Sequence, residues 1–447
     1  MMVAAEKFET DGQEIEPQEP TKYKPTDDDI GNMLIADWNG KIRYFFGAWH
    51  EYDSGVWKRQ KKFDKPIWEK LIMLKHSGIR PTAGKVEGVL KYLESYLAVD
   101  EDLIDNRREY INLQNGLFNI DTGKLEPHKA EAFMTSQLPF AYDEDADCPI
   151  FRKFLRDALV KPDSTEPDWD LQSLLLEAMG YSLTANTDFR VSFWLVGASG
   201  TGKSVLINIL QELAGTSHAS VDLDELTNNP YQLADVAGKR LVTFTEPKAN
   251  GVLADNHYKR LVSQDTIMAR QIFGKPFGFV PFCKVWGAMN ELPRVVDRSD
   301  AIFNRVIIIP MNRVMPEGKK DLHLTEKLRG ELAGIFNQAL IGLKRLRRAN
   351  AFTQVEQSDN ARKEYKAEND IEATFVAECC IRNPDAQTNA QALYDAYNAW
   401  CKRNGAMAKS SVKVARDWER LGFRKVKLNV GNIWKGVQLS TFDGENL

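Results

Sequence analysis

The fold of this chain is decided by one glycine-rich stretch, Gly197-Ala198-Ser199-Gly200-Thr201-Gly202-Lys203-Ser204. An apolar run typical of a β-strand (191–196) precedes it, and an apolar run with helical spacing (205–213) follows it. A strand, a GxxxxGK[ST] motif and a helix in this order are the pattern of a phosphate-binding loop. The backbone N–H groups of such a loop and the amino end of its helix can surround an anion. The stretch therefore predicts a site for a nucleoside triphosphate.

The pattern also assigns roles within the stretch. Lys203 can reach the β- and γ-phosphates of ATP, and the Ser204 hydroxyl is placed to ligate Mg²⁺. All eight residues are candidates for contact with the nucleotide, and ATP and Mg²⁺ are the expected cofactors. The alternative is a Gly/Ser-rich turn that matches by chance, and the strand and helix on its two sides argue against it.

Composition limits the class of protein. The chain has 447 residues, 43% hydrophobic and 27% charged, which suits a globular protein of several domains. With a net charge of −4, any contact with nucleic acid must come from local patches. Five scattered cysteines without a CxxC pair argue against a disulfide framework or a zinc site. No apolar run approaches the roughly 20 residues of a membrane span. We expect a cytoplasmic protein, inside a host cell, with no membrane partner.

Changes in composition along the chain indicate five segments. They are an acidic, disordered arm (1–29), an N-terminal α+β domain (30–167), an ATPase core (168–315), a helical lid and connector (316–370), and a C-terminal unit (371–447). An aromatic run in the N-terminal domain (44–57) favours a hairpin that packs its rings into a small core over a surface that stacks bases.

The C-terminal unit combines helical and β-like patterns with basic residues. Three predicted helices (371–381, 390–402 and 410–421) are followed by two β-like runs (423–428 and 433–439). Three helices and a β-hairpin are the plan of a winged helix. The third helix carries Lys413, Arg416 and Arg420, which suit contacts with DNA phosphates. Because winged helices also bind proteins, both kinds of partner stay open here.

ATP hydrolysis needs an acid, a γ-phosphate sensor and a cation besides the loop. Glu246 ends an apolar strand (240–246) and is the candidate for orienting the attacking water, although a surface glutamate after a strand is the simpler alternative. Asn290 ends another strand (284–290) and could hydrogen-bond the water or the γ-phosphate. Arg305 precedes a third (306–310) and suits a finger that reaches a neighbouring subunit's nucleotide, with Arg298 as the competing candidate.

The chain resembles the superfamily-3 helicases, the AAA+ type of small viruses, phages and plasmids. The resemblance lies in the order of four features: the glycine-rich loop, a strand that ends in Glu246, a strand that ends in Asn290, and a strand that Arg305 precedes. The sequence is most similar to the phage and plasmid primase–helicase family that is shared with poxviruses. Further stretches carry this resemblance, which covers about residues 30–440: 111–120, 142–149, 180–181, 222–226, 237–240, 259–265, 269–270 and 274–277.

The resemblance implies roles for these residues. The loop is then the Walker A motif, Glu246 the Walker B acid, Asn290 sensor 1 and Arg305 the arginine finger, and both Ser204 and Glu246 are metal candidates. A hairpin (267–280) would line a ring's central channel, with Lys275 and Phe277 on the DNA backbone. Walker B strands often end in two acids, whereas Thr245 precedes Glu246 here. Mg²⁺ coordination through that strand is therefore the weak point of the assignment.

The predicted fold class is α/β: an AAA+ P-loop ATPase core with an N-terminal α+β helicase-associated domain and a C-terminal winged-helix domain. The predicted function is an ATP-dependent DNA helicase or replication initiator of a phage, plasmid or other mobile element. We expect a homo-oligomeric ring, a hexamer by resemblance, that acts on single- and double-stranded DNA. Because no acid cluster suits nucleotidyl transfer, priming would come from a separate primase. The alternatives are an AAA+ remodeller or loader at an origin, and an origin-binding winged-helix protein whose assembly is controlled by nucleotide.

Overall fold

The computed structural model describes residues 24–222, 229–244, 255–270, 276–293, 295, 302–404, 406, 408–428 and 431–440. Contacts divide the chain into two compact units. The first is Met1–Arg107 with Pro127–Ser136, and the second is Arg108–Glu126 with Gln137–Leu447. The units therefore do not follow the predicted segments, because residues 108–126, expected in the N-terminal domain, belong to the same unit as the ATPase core. The C-terminal unit 371–447 also belongs to it.

The described residues of the first unit form three α-helices and a three-stranded antiparallel sheet. Its elements are α1 (Asp27–Trp38), β1 (Ile42–Phe45), β2 (Ala48–Asp53), β3 (Val56–Arg59), α2 (Lys65–Met73) and α3 (Ala83–Tyr96). Helix α1 begins at Asp27, inside the predicted acidic arm (1–29), and the Thr26 side chain caps it by accepting a hydrogen bond from the Asp29 N–H. The rest of the arm (1–23) lies outside the described residues.

Aromatic side chains form much of the core around this small sheet. The rings of Trp49 and Phe63 stack at 4.2 Å, and those of Phe45 and His50 at 3.7 Å. Trp57 is only 2% exposed. These contacts agree with the prediction of a hairpin that packs its own aromatics.

The second unit is an α/β structure. Its strands before residue 311 are β4 (Tyr110–Leu113), β5 (Gly116–Asn119), β6 (Lys124–Glu126), β7 (Ser192–Val196), β8 (His218–Val221), β9 (Leu241–Phe244), β10 (Ile267–Arg270), β11 (Pro276–Phe279), β12 (Lys284–Met289) and β13 (Val306–Pro310). Its helices before residue 369 are α4 (Pro149–Ala158), α5 (Trp169–Ser182), α6 (Lys203–Ala214), α7 (Pro230–Val236), α8 (Asp255–Ser263), α9 (Leu324–Arg329), α10 (Leu332–Ala349) and α11 (Glu356–Glu368).

A five-stranded parallel sheet with the order β13-β7-β12-β9-β8 forms the centre of this unit. Four of its strands coincide with the apolar runs identified in the sequence. The edge strand β8 was not predicted, because its four residues, His218–Val221, alternate too briefly to give a strand pattern. Parallel strands bring their carboxyl ends to one edge of the sheet, and this edge carries the glycine-rich loop.

Helices α5 and α10 pack closely against each other through glycine. A Cβ atom on Gly342 would lie 2.3 Å from the carbonyl carbon and oxygen of Leu176. Apolar residues recur at helical spacing over 324–346, but the structure divides this stretch into two helices, which are separated at Gly330 and Glu331. At this break the Glu331 carboxylate makes a long-range contact: it accepts hydrogen bonds from the N–H groups of Ile150 (3.0 Å) and Phe151 (2.9 Å) at the amino end of α4.

The C-terminal residues form an α-β-α-α-β-β unit. Its elements are α12 (Ile371–Cys379), β14 (Cys380–Asn389), α13 (Ala390–Arg403), α14 (Ser411–Arg420), β15 (Arg424–Leu428) and β16 (Gly431–Leu439). The strands make an antiparallel sheet with the order β14-β16-β15. Strand β14 was not predicted, because it is mostly exposed and its register shifts between Asn383 and Gln387, so its sequence does not alternate. None of the described helices meets the length and apolarity that a membrane span requires.

Candidate functional site

The glycine-rich loop lies between the central strand β7 and helix α6 at the carboxyl edge of the parallel sheet. Strand β7 ends at Val196, and α6 begins at Lys203. The neighbouring strands end beside it, because Val196 is in register with Met289 of β12 and with Pro310 of β13. The segments that follow β12 and β13 therefore start next to the loop.

The backbone of the loop requires glycine at two places. Gly197 has a φ of 157°, and a Cβ atom there would lie 2.1 Å from the carbonyl oxygen of Met311. Gly202 has a φ of 97°, and a Cβ atom would lie 2.9 Å from the ring of Phe154. Both neighbours are fixed parts of the surrounding structure, so the loop keeps the shape of a phosphate cradle only with glycine at these positions.

Lys203 lies within the loop and meets Asn290. Its Nζ donates hydrogen bonds to the carbonyl oxygens of Gly197 (2.6 Å) and Ala198 (2.7 Å) and to Oδ1 of Asn290 (3.0 Å). The residue is 8% exposed. The structure thus brings together two of the predicted catalytic residues, and it holds a cation where the phosphates of a nucleotide would be expected.

The other loop residues divide into structural and accessible ones. Thr201 is 1% exposed, and its hydroxyl donates a hydrogen bond to the Ala198 carbonyl at 3.1 Å, which braces the loop from inside. Ser199, Gly200 and Ser204 are exposed at its surface. Ser204 follows the first residue of α6, so its hydroxyl fits the predicted role toward Mg²⁺. Among the described residues no group of three or more His, Cys, Asp or Glu side chains could hold a metal ion.

Arg305 lies at the opposite edge of the sheet from the loop of its own chain. It directly precedes β13, whose first residue, Val306, is in register with Ser192 at the start of β7. Four residues of strand at about 3.3 Å each separate that level from Val196, so roughly 13 Å lies between them. The structure therefore does not bring Arg305 to the nucleotide loop within one subunit.

Four residues of the sequence argument lie outside the described residues: Thr245, Glu246, Lys275 and Arg298. What the structure does give is the end of β9 at Phe244, beside β12 in the sheet.

The predicted hairpin is present as β10 paired with β11. Phe277 faces Ala269 across it, and the rings of Phe277 and Phe279 lie 6.0 Å apart and pack, partly buried, against the hydrophobic core.

The candidate nucleic-acid contacts share one face of α14. Lys413, Arg416 and Arg420 follow at i, i+3 and i+7, opposite the buried Trp418, and all three are exposed. Arg420 also forms an ion pair with Asp370 at 2.7 Å, whose own side chain caps α12. No ion pair of the described residues includes Lys413 or Arg416.

Next to this helix, the hairpin of β15 and β16 places like charges side by side. Arg424 is directly opposite Lys435 in the register, and both are exposed. Like charges in facing positions repel each other and reduce the stability of a sheet. The pair is the arrangement expected where an anionic partner supplies the missing negative charge.

The sequence analysis missed a buried lysine at the amino edge of the large sheet. Lys284 is 1% exposed; its Nζ donates to the carbonyls of Thr184 and Phe282 and lies 4.8 Å from the ring centre of Tyr181. Burial, and next the charge of Arg240, lower the pKa of Lys284 well below its usual value. The apolar run 284–289 gave no signal of this, because a lysine at the start of a strand is usually exposed.

Comparison with known proteins finds two family models that each match part of the chain. The family model described as "D5 N terminal like" matches residues 32–160, and a family of unknown function (DUF5906) matches residues 195–305. The chain is therefore similar to D5-type proteins over the first of these regions. It is 24% identical over 406 residues to protein L207/L206 of Acanthamoeba polyphaga mimivirus, a match that covers 84% of this chain. It is 24% identical over 377 residues to protein 121R of Invertebrate iridescent virus 3, covering 74%. Both relatives are named as candidate helicases.

The D5-type relatives are longer than the region they share with this chain. The matched regions cover 41% and 40% of their lengths, so the chain spans about two fifths of them. Among solved structures, the A form of the apo NrS-1 C terminal region superposes with a TM-score of 0.50 at 14% identity, covering 92% of this chain and 98% of that chain. At that identity the likeness shows a shared fold.

Proposed function

We propose that the chain is an ATP-dependent DNA helicase that takes part in replication of a phage, plasmid or other mobile element. The observation that supports this most is the contact between Lys203 and Asn290 at the carboxyl edge of a parallel sheet. A phosphate-binding lysine and a polar residue on the adjacent strand are what ATP hydrolysis requires, and simple binding of an anion would need only the loop. The viral D5-type relatives support replication as the setting.

Nucleotide binding would change the partners of Lys203. Its Nζ would move from the carbonyls of Gly197 and Ala198 to the β- and γ-phosphates, whose negative charge attracts an ammonium group more strongly than a carbonyl does. The loop N–H groups would surround the phosphates, and the Ser204 hydroxyl would hold Mg²⁺, which neutralises the charge that develops on the phosphates. Asn290, released from Lys203, would orient the attacking water together with Glu246.

We propose that Arg305 completes the site of a neighbouring subunit. Its distance from the loop of its own chain supports a role between subunits, since an arginine side chain is too short to cross the sheet. A ring in which each Arg305 faces the next subunit's nucleotide would join hydrolysis to the contact between subunits. A superfamily-3, AAA+ hexamer is the form we propose for this ring.

DNA would be held by two parts of the chain. The β10–β11 hairpin would line the central channel, with Lys275 on the DNA backbone; Phe277 is the weaker candidate of the two, because its ring packs against the core. For the C-terminal unit we propose a winged helix, which the helices α12, α13 and α14 and the β15–β16 pair support. Lys413 and Arg416 on α14 are exposed cations that suit phosphate contacts. The facing pair Arg424 and Lys435 supports the same partner.

The exposed basic face of α14 also favours a second candidate, an origin-binding protein whose assembly ATP controls. The two functions differ in their use of ATP. For a helicase, the ATPase rate of the full chain should rise when single-stranded DNA is added, and the particle mass should be that of a ring. Lys203→Ala should remove hydrolysis. An ATPase rate that is unchanged by DNA, with ATP altering only the assembly, would favour the origin-binding protein and contradict a translocating motor.

A further inference from the structure

The segment that follows β13 is attached to the glycine-rich loop by backbone hydrogen bonds. The N–H of Met311 donates to the Val196 carbonyl (2.7 Å), and the N–H of Met315 donates to the Gly200 carbonyl (3.1 Å). This segment (311–320) therefore runs beside the loop and is attached to its start and to its middle. The backbone pairing keeps the first part of the segment, up to Met315, next to the loop.

One lysine at the end of this segment lies over the loop. A Cβ atom built on Gly200 would lie 3.7 Å from Cε and 3.8 Å from Nζ of Lys320. Lys320 is exposed, and a turn from Glu317 to Lys320, closed by a backbone hydrogen bond of 3.2 Å, brings it back toward the loop. The ammonium group is thus next to the accessible middle of the phosphate cradle.

Among the described residues, Lys320 differs from the neighbouring cations because no ion pair to a carboxylate includes it. Between residues 311 and 330, Arg313 meets Asp157 at 3.8 Å, and Lys327 meets Asp321 at 2.6 Å. Arg329 is paired with a glutamate on α6. None of the ion pairs among the described residues includes Lys320. A cation that is held beside an anion-binding loop and given no carboxylate is arranged for a negatively charged ligand.

We propose that Lys320 contacts the phosphates of the nucleotide bound by the loop of its own subunit. Lys203 would approach the phosphates from within the loop, and Lys320 from its exposed side at Gly200, so the polyphosphate would lie between two ammonium groups. The inference rests on the proposed nucleotide site and adds a binding residue to it. It also gives strand β13 two functional ends, with Arg305 before it and Lys320 after it.

The test is an equilibrium titration of the full chain with a fluorescent ATP analogue in the presence of Mg²⁺. Lys320→Ala should weaken binding about five- to tenfold, the low end for a charge-assisted hydrogen bond, because the contact is exposed to solvent. Lys320→Arg should keep most of the affinity, since it keeps the charge. Lys327→Ala is the matched control: it removes a nearby lysine that already has an acidic partner, and it should bind within about twofold of the unchanged chain.

The outcomes separate this inference from the proposed function. If Lys320→Ala binds as the unchanged chain does while Lys203→Ala binds weakly, the nucleotide site stands and the role of Lys320 is refuted. If Lys327→Ala loses as much as Lys320→Ala, the effect is one of general charge and the inference is refuted as well. If Lys203→Ala binds as tightly as the unchanged chain, the loop is not the nucleotide site and the proposed function fails.

Discussion

Replacing Arg305 by alanine should stop ATP hydrolysis although this residue lies far from the loop of its own chain. It stands one residue before Val306, which is level with Ser192, whereas the loop starts after Val196. The roughly 13 Å of strand between these levels puts the guanidinium out of reach of its own nucleotide. An arginine finger that acts between subunits is worth about 10³–10⁵ in turnover. We therefore expect Arg305→Ala to lose hydrolysis by at least about a thousandfold while it still assembles and binds ATP.

The assay mixes two inactive variants, Arg305→Ala and Lys203→Ala, and measures the ATPase rate. A site between subunits works when the loop comes from an Arg305→Ala chain and the finger comes from a Lys203→Ala chain. With random assembly at equal amounts, about a quarter of the interfaces of a cyclic ring combine an intact loop with an intact finger. The mixture should therefore regain about a quarter of the unchanged rate, although each variant alone has almost none.

Two results would refute the reasoning. If Arg305→Ala alone hydrolyses ATP at the unchanged rate, Arg305 is not the finger. If the mixture stays inactive although mass determination shows mixed assemblies, Arg305 and Lys203 act within the same chain, and Arg305 is not a finger between subunits.

Three further predictions test the packing, the buried charge and the DNA contact. Gly342→Ala should lower the free energy of unfolding by about 1–3 kcal/mol in chemical denaturation, because its methyl group would overlap the backbone of α5. Lys284→Met should flatten the pH dependence of the free energy of unfolding. Between the lowered pKa of buried Lys284 and the unfolded-state pKa of about 10.4, the unfolded chain carries a proton that the folded chain lacks. The free energy of unfolding of the unchanged chain therefore rises with pH by up to about 1.4 kcal/mol per unit in this window. Replacing Lys413 and Arg416 together by alanine should weaken binding to duplex DNA and reduce the slope of log K against log salt by about 1.8.

Each of these has a control and a contrary outcome. At Gly84 a Cβ atom would meet nothing within 4 Å, so Gly84→Ala should be neutral or slightly stabilising. If Gly84→Ala lowers the free energy of unfolding as much as Gly342→Ala does, the packing of α5 and α10 is not the cause. For Lys284→Met, the free energy of unfolding is measured by chemical denaturation at several pH values. If it depends on pH in the same way in the variant and in the unchanged chain, Lys284 stays charged when buried. Lys91→Ala removes an exposed lysine paired with Glu87, and a salt slope that falls as much there as on α14 would rule out a specific contact.

The position of the site could be predicted because it depends on local signals. The residue types from Gly197 to Ser204 determine the conformation of the loop, and apolar runs indicate the strands beside it. Since parallel strands share one carboxyl edge, the end of a strand at Asn290 could be expected near the loop, and the Lys203–Asn290 contact agrees with that expectation.

The parts that were missed depend on contacts between distant residues. Strand β14 forms only because β16 offers it a partner, and its own sequence lacks alternation. At the break between α9 and α10, Glu331 caps a helix that lies about 180 residues earlier in the chain. Lys320 reaches the loop through the backbone pairing of Met315, which no side-chain pattern reports. The burial of Lys284 likewise depends on residues about 100 positions earlier in the chain, Tyr181 and Thr184, which its side chain contacts.

The most direct measurement of the central claim is strand displacement from a forked DNA duplex by the full chain with ATP and Mg²⁺. The account predicts ATP-dependent release of one strand, lost in Lys203→Ala while DNA binding through α14 remains. Hydrolysis of ATP that is stimulated by DNA, but without any release of a strand from forks of either polarity, would contradict a helicase and identify the chain as a loader or remodeller.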